Sequence, residues 1–319
     1  MRREIIELYD RYTHSLLDRR TFLESLAVWA GGAAAAQALL PLLENDYASA
    51  AMVAEDDPRI DASFVTYPGA GMEMRGYLAI PKAGAAGGAG AEGSAAGEMA
   101  TGGGRADEPA TGGSVDGGAK VPAVVVIHEN RGLNPHIQDV VRRLAAVGYL
   151  ALGPDALTAS GGTPADEDQA REEISKLDAV KTRENFVRSV AWLQQHPRSS
   201  GKVGCVGFCW GGAMANQLAV HVPELSAAVA FYGRVPVLED VPKIHAPLLL
   251  HYAGRDERIN ADVPAYRAAL EKAKKEFAIY MYDDVDHAFH NDTNAARYNE
   301  AAAKLAWSRT LEFFASKLT

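Results

Sequence analysis

The stretch KVGCVGFCWGGAMANQLAV, residues 202–220, contains an apolar run, a glycine-rich turn and a second apolar run. The first run has the composition of a buried parallel strand, and the second predicts the helix that follows it. Cys209 lies in the turn between them, within a Gly-x-Cys-x-Gly frame that Gly207 and Gly211 complete. Glycines give room for a sharp strand-to-helix turn that raises one side chain above the sheet, and a helix N-terminus favours a thiolate. Cys209 is therefore a candidate nucleophile.

The second cysteine of the chain, Cys205, precedes Cys209 by four residues and falls inside the predicted strand. We interpret it as a small buried hydrophobic residue. Four residues of strand and turn hold the two Cα atoms further apart than the ~7 Å that a disulfide tolerates, so both thiols are predicted to be free. A redox role for Cys209 is an alternative that the lack of a resolving cysteine within reach disfavours.

Strand and helix patterns alternate on both sides of this stretch. Upstream, VPAVVVIHE (121–129) suits a strand buried on both faces, and IQDVVRRLAAVGYLALGPD (137–155) predicts a helix, a glycine stop and another strand. Downstream, the apolar runs APLLLHYAG and FAIYMYDD are separated by a helical pattern. The alternation predicts an α/β fold with a doubly wound, mostly parallel sheet flanked by helices. Ligands of such a fold bind beyond the carboxyl ends of its strands.

Two segments precede this alternation. Residues 64–82 alternate apolar and polar side chains around a glycine turn, which predicts an N-terminal antiparallel hairpin. Residues 84–120 are almost wholly Gly, Ala, Ser, Thr, Asp and Glu, which cannot bury enough apolar surface to offset the entropy of ordering the chain. We therefore predict one catalytic domain over residues 60–319 with a disordered, low-complexity insertion at 84–120.

Residues 1–50 resemble a twin-arginine export signal. Arg19 and Arg20 are followed by Phe22 and Leu23, then by a moderately apolar run and the small residues ASA at 48–50. An amphipathic helix with an alanine-rich flank is the alternative, and a retained membrane anchor is disfavoured because the apolar run is short. Export would use the twin-arginine machinery as a partner and would place the protein in the periplasm or outside the cell.

The charge balance excludes one class of partner. The 319 residues include 41 Asp and Glu against 32 Lys and Arg, a formal net charge of −9, which argues against binding to a nucleic-acid backbone. No spacing such as Cys-x-x-Cys or His-x-x-x-His indicates a metal site, and we expect no organic cofactor. We expect a monomer that acts on a small molecule.

Two further polar residues follow predicted strands. Asp256 comes after LLLHYAG, and His287 comes after YMYDDVD. Taken alone, the first would be a helix cap or a solvated acid and the second a loop histidine. A cysteine, an acid and a histidine in that chain order, each after a successive strand, are typical of a catalytic triad at the carboxyl edge of a sheet. The end of the last predicted strand and the loop after it contain other ionisable residues that fit the histidine position of a triad less well, namely Asp283, Asp284, Asp286 and His290.

Four motifs carry a family resemblance: HENRG, GFCWGG, GRDERI and DHAFH. Through them the chain from about Phe64 to its end resembles the dienelactone hydrolase family, the cysteine branch of the α/β-hydrolase fold. The resemblance implies a hydrolase of lactones or carboxylic esters that works through a thioester acyl-enzyme. It also implies that Cys209 is the nucleophile, His287 the general base and acid, and Asp256 the residue that orients the imidazole. A binding protein that kept the pocket but lost turnover is the alternative.

The resemblance assigns further residues. Glu129 corresponds to the family's acid beside the resting thiol, and backbone N–H groups of Asn130 and Trp210 would form the oxyanion hole. In the best-known members an arginine four residues after the histidine helps to hold a substrate carboxylate, whereas this chain has Asn291. An amide lacks the charge of a guanidinium, so we expect uncharged lactones and esters to be accepted. The other predicted substrate-binding residues are Arg131, Tyr232 and Arg234.

Overall fold

The computed structural model describes residues 1–14, 16–47, 50–82 and 118–319. Residues 84–117 of the predicted insertion lie outside the described residues, as do residues 48 and 49 of the predicted ASA site. The disorder of the insertion and the cleavage of the signal therefore stay predictions.

The described residues form one sheet of eight strands: β1 (Ile60–Pro68), β2 (Glu73–Pro81), β3 (Val121–Ile127), β4 (Leu150–Pro154), β5 (Ser199–Phe208), β6 (Ala227–Phe231), β7 (Leu248–Ala253) and β8 (Phe277–Tyr282). Their spatial order is β1-β2-β4-β3-β5-β6-β7-β8. The pairs β1–β2 and β2–β4 are antiparallel, and all other neighbouring pairs are parallel. The predicted N-terminal hairpin and doubly wound, mostly parallel sheet are confirmed.

The helices of the described residues are α1 (Arg3–Thr13), α2 (Arg19–Ala30), α3 (Ala33–Leu43), α4 (Pro135–Ala146), α5 (Glu167–Ser175), α6 (Ala179–Gln195), α7 (Trp210–His221), α8 (Glu257–Asn260), α9 (Val263–Lys272) and α10 (Glu300–Lys317). Short 3₁₀ helices occupy Thr158–Ser160 and Leu238–Lys243. Helices α6, α7 and α9 pack on one face of the sheet, and α4 and α10 pack on the other.

Strand β3 shows why its sequence is a continuous apolar run. Val125 and Ile127 belong to the core on the α6, α7 and α9 side, while Val124 and Val126 belong to the core on the α4 and α10 side. All four side chains are fully buried. Because both faces of a parallel strand are covered by helices, each residue must be apolar whichever way it points.

Helices α1, α2 and α3 have a small core of their own and pack against the catalytic domain. Two hydrogen bonds join the end of α3 to the loop before α10: the Asn294 amide donates to the Leu43 carbonyl at 2.6 Å, and the Asp46 N–H donates to the Thr293 carbonyl at 2.7 Å. The core of the segment contains Ile5, Leu8, Tyr9, Tyr12, Phe22, Leu26, Ala36 and Leu43.

The arginine pair of the predicted export signal begins α2. Arg19 forms an ion pair with Asp168 of α5, and Arg20 pairs with Glu24 at 2.8 Å on the exposed side of α2. In the part of the chain that the structure describes, no single helix has the length and apolar character to cross a membrane. Helices α2 and α3 meet that test only together, with a 110° bend between them.

Candidate active site

Cys209 connects the end of β5 to the start of α7 in a strained turn. Its backbone has φ 55° and ψ −111°, in the positive-φ region that residues other than glycine rarely adopt. The turn is tight because the backbone approaches other backbone atoms closely at two glycines, where a side chain would not fit. A Cβ on Gly207 would lie 1.9 Å from the Gly211 carbonyl oxygen, and a Cβ on Gly211 would lie 2.3 Å from the Ile127 carbonyl oxygen. The thiol is thus held at the carboxyl edge of the sheet, where the N-terminus of α7 favours an anion.

Cys205 has the opposite environment. It is fully buried on β5, and burial raises the pKa of its thiol to about 12. Both cysteines are free. The interpretation of Cys205 as a buried hydrophobic residue is therefore confirmed.

Asp256 and His287 form a buried pair. Asp256 caps the N-terminus of α8, after β7, and His287 lies in the loop after β8. Nδ1 of His287 donates a hydrogen bond to Oδ2 of Asp256. Burial disfavours the charged ring, but the Asp256 carboxylate and the Cys209 thiolate outweigh it and raise the pKa of His287 to about 9. Among the described residues, Nε2 of His287 has no hydrogen-bond partner, so this nitrogen is free to exchange a proton with a bound molecule.

The hydrogen-bond partner of the Cys209 thiol is His14, which follows α1. Sγ of Cys209 lies 3.5 Å from Nε2 of His14. The rings of His14 and His287 meet edge to face with their centroids 4.6 Å apart. Sγ and one nitrogen from each ring lie within 4.8 Å of one another, a spacing compact enough for a metal ion. Of these three groups, Sγ and the His14 ring are joined by a hydrogen bond, whereas Nε2 of His287 has no hydrogen-bond partner among the described residues.

Sequence reasoning missed His14 because it lies 195 residues before Cys209, in a stretch interpreted as an export signal. The signal that was available is local. Asp10 and His14 are four residues apart, a spacing that places two side chains on the same face of a helix. An acid and a histidine paired in this way resemble the Asp256–His287 pair in chemistry, although nothing in the sequence shows that they reach Cys209.

Glu129 lies in the loop after β3 and is buried. Its carboxylate accepts hydrogen bonds from the Asn291 amide at 2.8 Å and from the Tyr232 hydroxyl at 3.5 Å. The Tyr232 ring in turn packs on His287, with centroids 4.8 Å apart. Asn291 is fully buried, and its oxygen accepts a hydrogen bond from Thr293 Oγ1 at 2.6 Å. Asn291, predicted to bind substrate, is therefore hydrogen-bonded to Glu129 and is not among the residues that line the cavity over Cys209.

A cavity of about 350 Å³ lies over Cys209. His14, His287 and Tyr232 line it beside the thiol, together with both residues of the predicted oxyanion hole. The remaining walls are arginine and apolar side chains, namely Arg171, Arg234, Arg258, Ile174, Leu177, Ala213 and Ile259, with Ser175. The cavity is large enough for a small lactone or ester and brings the predicted nucleophile and histidine to the same space.

Different contacts hold the two residues whose backbone N–H groups are the predicted oxyanion-hole donors. Trp210 is the first residue of α7, so its backbone N–H is one of the donors that a helix N-terminus leaves unpaired within the helix. Its indole stacks on His128 with centroids 5.2 Å apart. Asn130 donates its side-chain amide to the Thr13 carbonyl at 2.6 Å, so the end of α1 positions this residue.

The two predicted substrate-binding arginines, Arg131 and Arg234, lie in different environments. Arg234 is exposed at the cavity wall. Arg131 is buried elsewhere: its guanidinium lies 2.7 Å from Glu167 and donates to the Tyr9 hydroxyl at 3.1 Å. Contrary to the prediction, Arg131 therefore joins α1 to α5 and does not line the cavity.

Two other arginines, which sequence reasoning missed, border the cavity. Arg171 of α5 lies with its guanidinium 4.1 Å from the centre of the Tyr12 ring. Arg258 of α8 has its Nη2 3.9 Å from the Asp256 carboxylate, and in the described chain its Nε and Nη2 have no hydrogen-bond partner. Arg258 lies within the GRDERI motif but has no predicted role there, and nothing in the sequence marks Arg171, because its helix reaches the cavity only through tertiary packing.

The other ionisable residues of the loop after β8 point elsewhere. Asp283 and Asp284 are exposed, and Asp286 lies 3.6 Å from the guanidinium of Arg255. His290 is fully buried, which lowers its pKa well below the ordinary value. These residues do not line the cavity over the thiol.

Known proteins are similar to this chain both in sequence and in fold. The dienelactone hydrolase family model matches residues 111–318, and a YqhI-like model matches residues 2–32. A Salmonella typhi protein named "Putative carboxymethylenebutenolidase" is 31% identical over 280 residues, which cover 83% of this chain and 90% of that protein.

Solved structures agree with these matches. A Klebsiella pneumoniae structure described as "Putative Dienelactone Hydrolase" superposes with a TM-score of 0.64 at 29% identity, covering 80% of this chain and 98% of the other. Pyrococcus horikoshii acylaminoacyl peptidase superposes with a TM-score of 0.56 at 15% identity, over 83% of this chain and 43% of the other. The second likeness shows the α/β-hydrolase fold alone.

Replacing Asp256 with asparagine should lower the pKa of His287 from about 9 toward its ordinary value of 6.5, because the carboxylate that favours the charged ring is removed. NMR titration of the ring protons in wild type and Asp256→Asn measures the change. The exposed His245 serves as an internal reference that should not move. A His287 pKa that stays near 9 in the variant would assign the shift to the thiolate alone.

The same pair should make stability depend on pH. Because the pKa of His287 is raised in the folded protein, its contribution is complete below about pH 6.5 and is lost as the pH rises through about 9. The difference in unfolding free energy between wild type and Asp256→Asn should therefore shrink over this interval. Urea unfolding at both ends of the interval gives the two values.

Proposed function

The chain belongs to the dienelactone hydrolase family and is a lactone or ester hydrolase, and on this premise we propose that Cys209, His287 and Asp256 form its catalytic triad. The observation that carries the proposal is the strained turn at Cys209, which presents the thiol to the cavity that His287 also lines. A backbone conformation that costs about 1–3 kcal/mol persists only where the surrounding structure enforces it, and such strain is concentrated at functional sites.

The proposed reaction proceeds through a thioester. The Cys209 thiolate attacks the carbonyl carbon, and the oxyanion that forms accepts hydrogen bonds from the backbone N–H groups of Trp210 and Asn130. Collapse of this intermediate expels the alkoxide, which takes a proton from Nε2 of His287. Water then gives a proton to Nε2 of His287 as its oxygen attacks the thioester carbon, and cleavage of the S–C bond releases the acid and restores the Cys209 thiolate. Asp256 keeps the His287 ring oriented throughout and stabilises its charged form.

Glu129 is proposed to control the residue that packs on His287. Burial and the neighbouring charges of Glu129 and Cys209 hold the pKa of Tyr232 well above its ordinary value, so the Tyr232 hydroxyl stays protonated and can donate a hydrogen bond. Glu129 accepts that hydrogen bond. This arrangement fixes the Tyr232 hydroxyl on Glu129 while the tyrosine ring packs against the imidazole of His287.

The substrate is proposed to carry a carboxylate. Three guanidinium groups, from Arg171, Arg234 and Arg258, border a cavity of substrate size. Of these, Arg234 is exposed and Arg258 has unpartnered donors, so both are available to a bound anion. A charge-assisted pair with either would hold the substrate in one orientation. The expectation from Asn291, that charge on the substrate matters little, takes no account of Arg171 and Arg258.

A pair of esters of equal size, one carboxylated and one neutral, tests the carboxylate. Wild type should prefer the carboxylated ester, and Arg234→Ala and Arg258→Ala should each reduce that preference in kcat/KM at least about tenfold, the size of one charge-assisted hydrogen bond. Arg188→Ala, which removes an exposed arginine of α6, is the matched control. Equal kcat/KM values for the two esters in wild type would exclude the anion site.

The nucleophile is tested by the two cysteines of the chain. Cys209→Ala should abolish hydrolysis of p-nitrophenyl acetate, whereas Cys205→Ala should keep most of the rate because its thiol is buried away from the cavity. Thermal unfolding of both variants checks that they fold. Turnover by folded Cys209→Ala would overturn the triad, and a folded wild type that binds esters without turnover would indicate a binding protein.

We also propose that the protein is exported by the twin-arginine route. Support comes from the Arg19–Arg20 pair, which is separated from Phe22 by one residue, and from the apolar residues of α2 and α3 that follow the pair. The double variant Arg19→Lys and Arg20→Lys keeps both charges, and with them the charge that pairs with Asp168, but should remain in the cytoplasm. Fractionation of a bacterial host that has the twin-arginine machinery measures its location, with Arg59→Lys as control. Normal export of the double variant would contradict this route.

A further inference from the structure

His14 presents a base to the Cys209 thiol. Its Nδ1 lies 2.8 Å from the backbone oxygen of Asp10 and 3.3 Å from Oδ1 of the same residue. Both oxygens can only accept hydrogen bonds, so Nδ1 carries the proton and Nε2 of the neutral ring has a free lone pair. That lone pair faces Sγ of Cys209 at 3.5 Å, where it can accept the S–H.

Asp10, which holds the His14 ring, is itself ionised. Burial disfavours ionisation of Asp10, but the hydrogen bond from His14 and the charge of His287 outweigh burial and hold the pKa of the Asp10 carboxyl well below its usual range. The guanidinium of Arg297 lies 3.5 Å from the same carboxylate and helps to keep it in place. An ionised carboxylate beside His14 stabilises the imidazolium that forms when the ring takes a proton.

The geometry around His287 suits the opposite role. Its pKa is raised to about 9, chiefly by the Asp256 carboxylate, so the ring keeps its second proton at neutral pH. Nε2 of His287 has no hydrogen-bond partner in the described parts of the chain. A protonated ring cannot also accept the thiol proton, but it can donate to a leaving alkoxide.

We propose that His14, positioned by Asp10, is the catalytic base that takes the proton of Cys209, while His287 acts first as the acid. The inference rests on the proposed function of Cys209 as nucleophile. It makes the N-terminal segment, helices α1 to α3, a part of the catalytic machinery, because this segment supplies the base.

In one turnover of the proposed reaction, every protein group that loses a proton regains one. In acylation, the S–H proton passes to Nε2 of His14, Sγ bonds to the carbonyl carbon, and the C–O bond breaks as the alkoxide takes the Nε2 proton of His287. In deacylation, water gives a proton to the now neutral His287 as its oxygen bonds to the thioester carbon. The S–C bond breaks, and the thiolate regains the proton held by His14. Ester and water become acid and alcohol, and the site returns to its starting state.

The charged and titratable groups that face His14 belong to α1, to the turn after β5 and to the loops after β7 and β8. Asp10 lies on α1 with Arg297 beyond it, and Cys209 and the His287–Asp256 pair lie across the cavity edge. The titration of His287 affects wild type and His14 variants alike. A difference between their pH profiles therefore belongs to His14.

The test measures acylation alone. With p-nitrophenyl acetate the leaving phenolate needs little protonation, so the burst of nitrophenolate reports deprotonation and attack by the thiol. His14→Gln should slow the burst about 100-fold near pH 7, the range of a lost general base, and the rate should recover as the pH rises. Alkylation of Cys209 by iodoacetamide should slow in parallel, and added imidazole should restore part of the burst in His14→Ala. The control is His245→Gln, at an exposed histidine remote from the cavity, which should match wild type.

Each outcome decides one part of the inference. A burst rate and alkylation profile of folded His14→Gln within twofold of wild type would overturn the role of His14. If that variant has a lowered melting temperature, Asp10→Asn decides, because it leaves the ring in place and should still slow the burst several-fold; an unchanged burst would overturn the inference. Turnover by Cys209→Ala would instead overturn the proposed function. If Cys209→Ala loses activity but His14→Gln shows a normal burst, the proposed triad is kept and the role of His14 as base is rejected.

Discussion

The close approach of Gly207 to Gly211 is the constraint on which the site depends. A side chain at either position would meet a backbone oxygen at 1.9 Å or 2.3 Å, so only glycine lets β5 and α7 come this close. The approach forces Cys209 to a φ of 55°, and its backbone N–H is held by the Phe231 carbonyl at 3.0 Å. Because β3, β5 and β6 are buried on both faces, the turn cannot relax without disturbing the ladder hydrogen bonds on either side of β5.

Around this fixed thiol, two acid–histidine pairs converge from opposite ends of the chain. Asp256 and His287 follow β7 and β8, whose carboxyl ends lie at the same edge of the sheet as Cys209. Asp10 and His14 come from α1 and its end. Oxygens of each aspartate fix the tautomer of the paired ring: the carboxylate of Asp256 for His287, and the backbone oxygen of Asp10, with its carboxylate nearby, for His14. The two pairs differ in surroundings, since His287 is fully enclosed and His14 is partly open to the cavity.

The N-terminal segment cannot be both a cleaved export signal and the source of the base. Cleavage near residues 48–50 would remove His14 and with it the hydrogen bond to the thiol. The arginine pair itself stays accessible, because the Arg19 side chain keeps 55% of its surface exposed while it pairs with Asp168. An enzyme that uses His14 must therefore keep the segment, whether or not it is exported.

The sequence by itself determined the fold and the order of the central site. Apolar periods follow from local backbone geometry, and parallel strands share one carboxyl edge, so Cys209 and His287 could be placed together from motifs alone. Tertiary structure alone decided which polar residues reach the cavity. Arg131 and Asn291 stand in or beside family motifs but are buried against other elements, whereas His14 arrives from a remote helix. The direction of a side chain and the docking of a distant helix depend on long-range packing, which no local pattern of residues specifies.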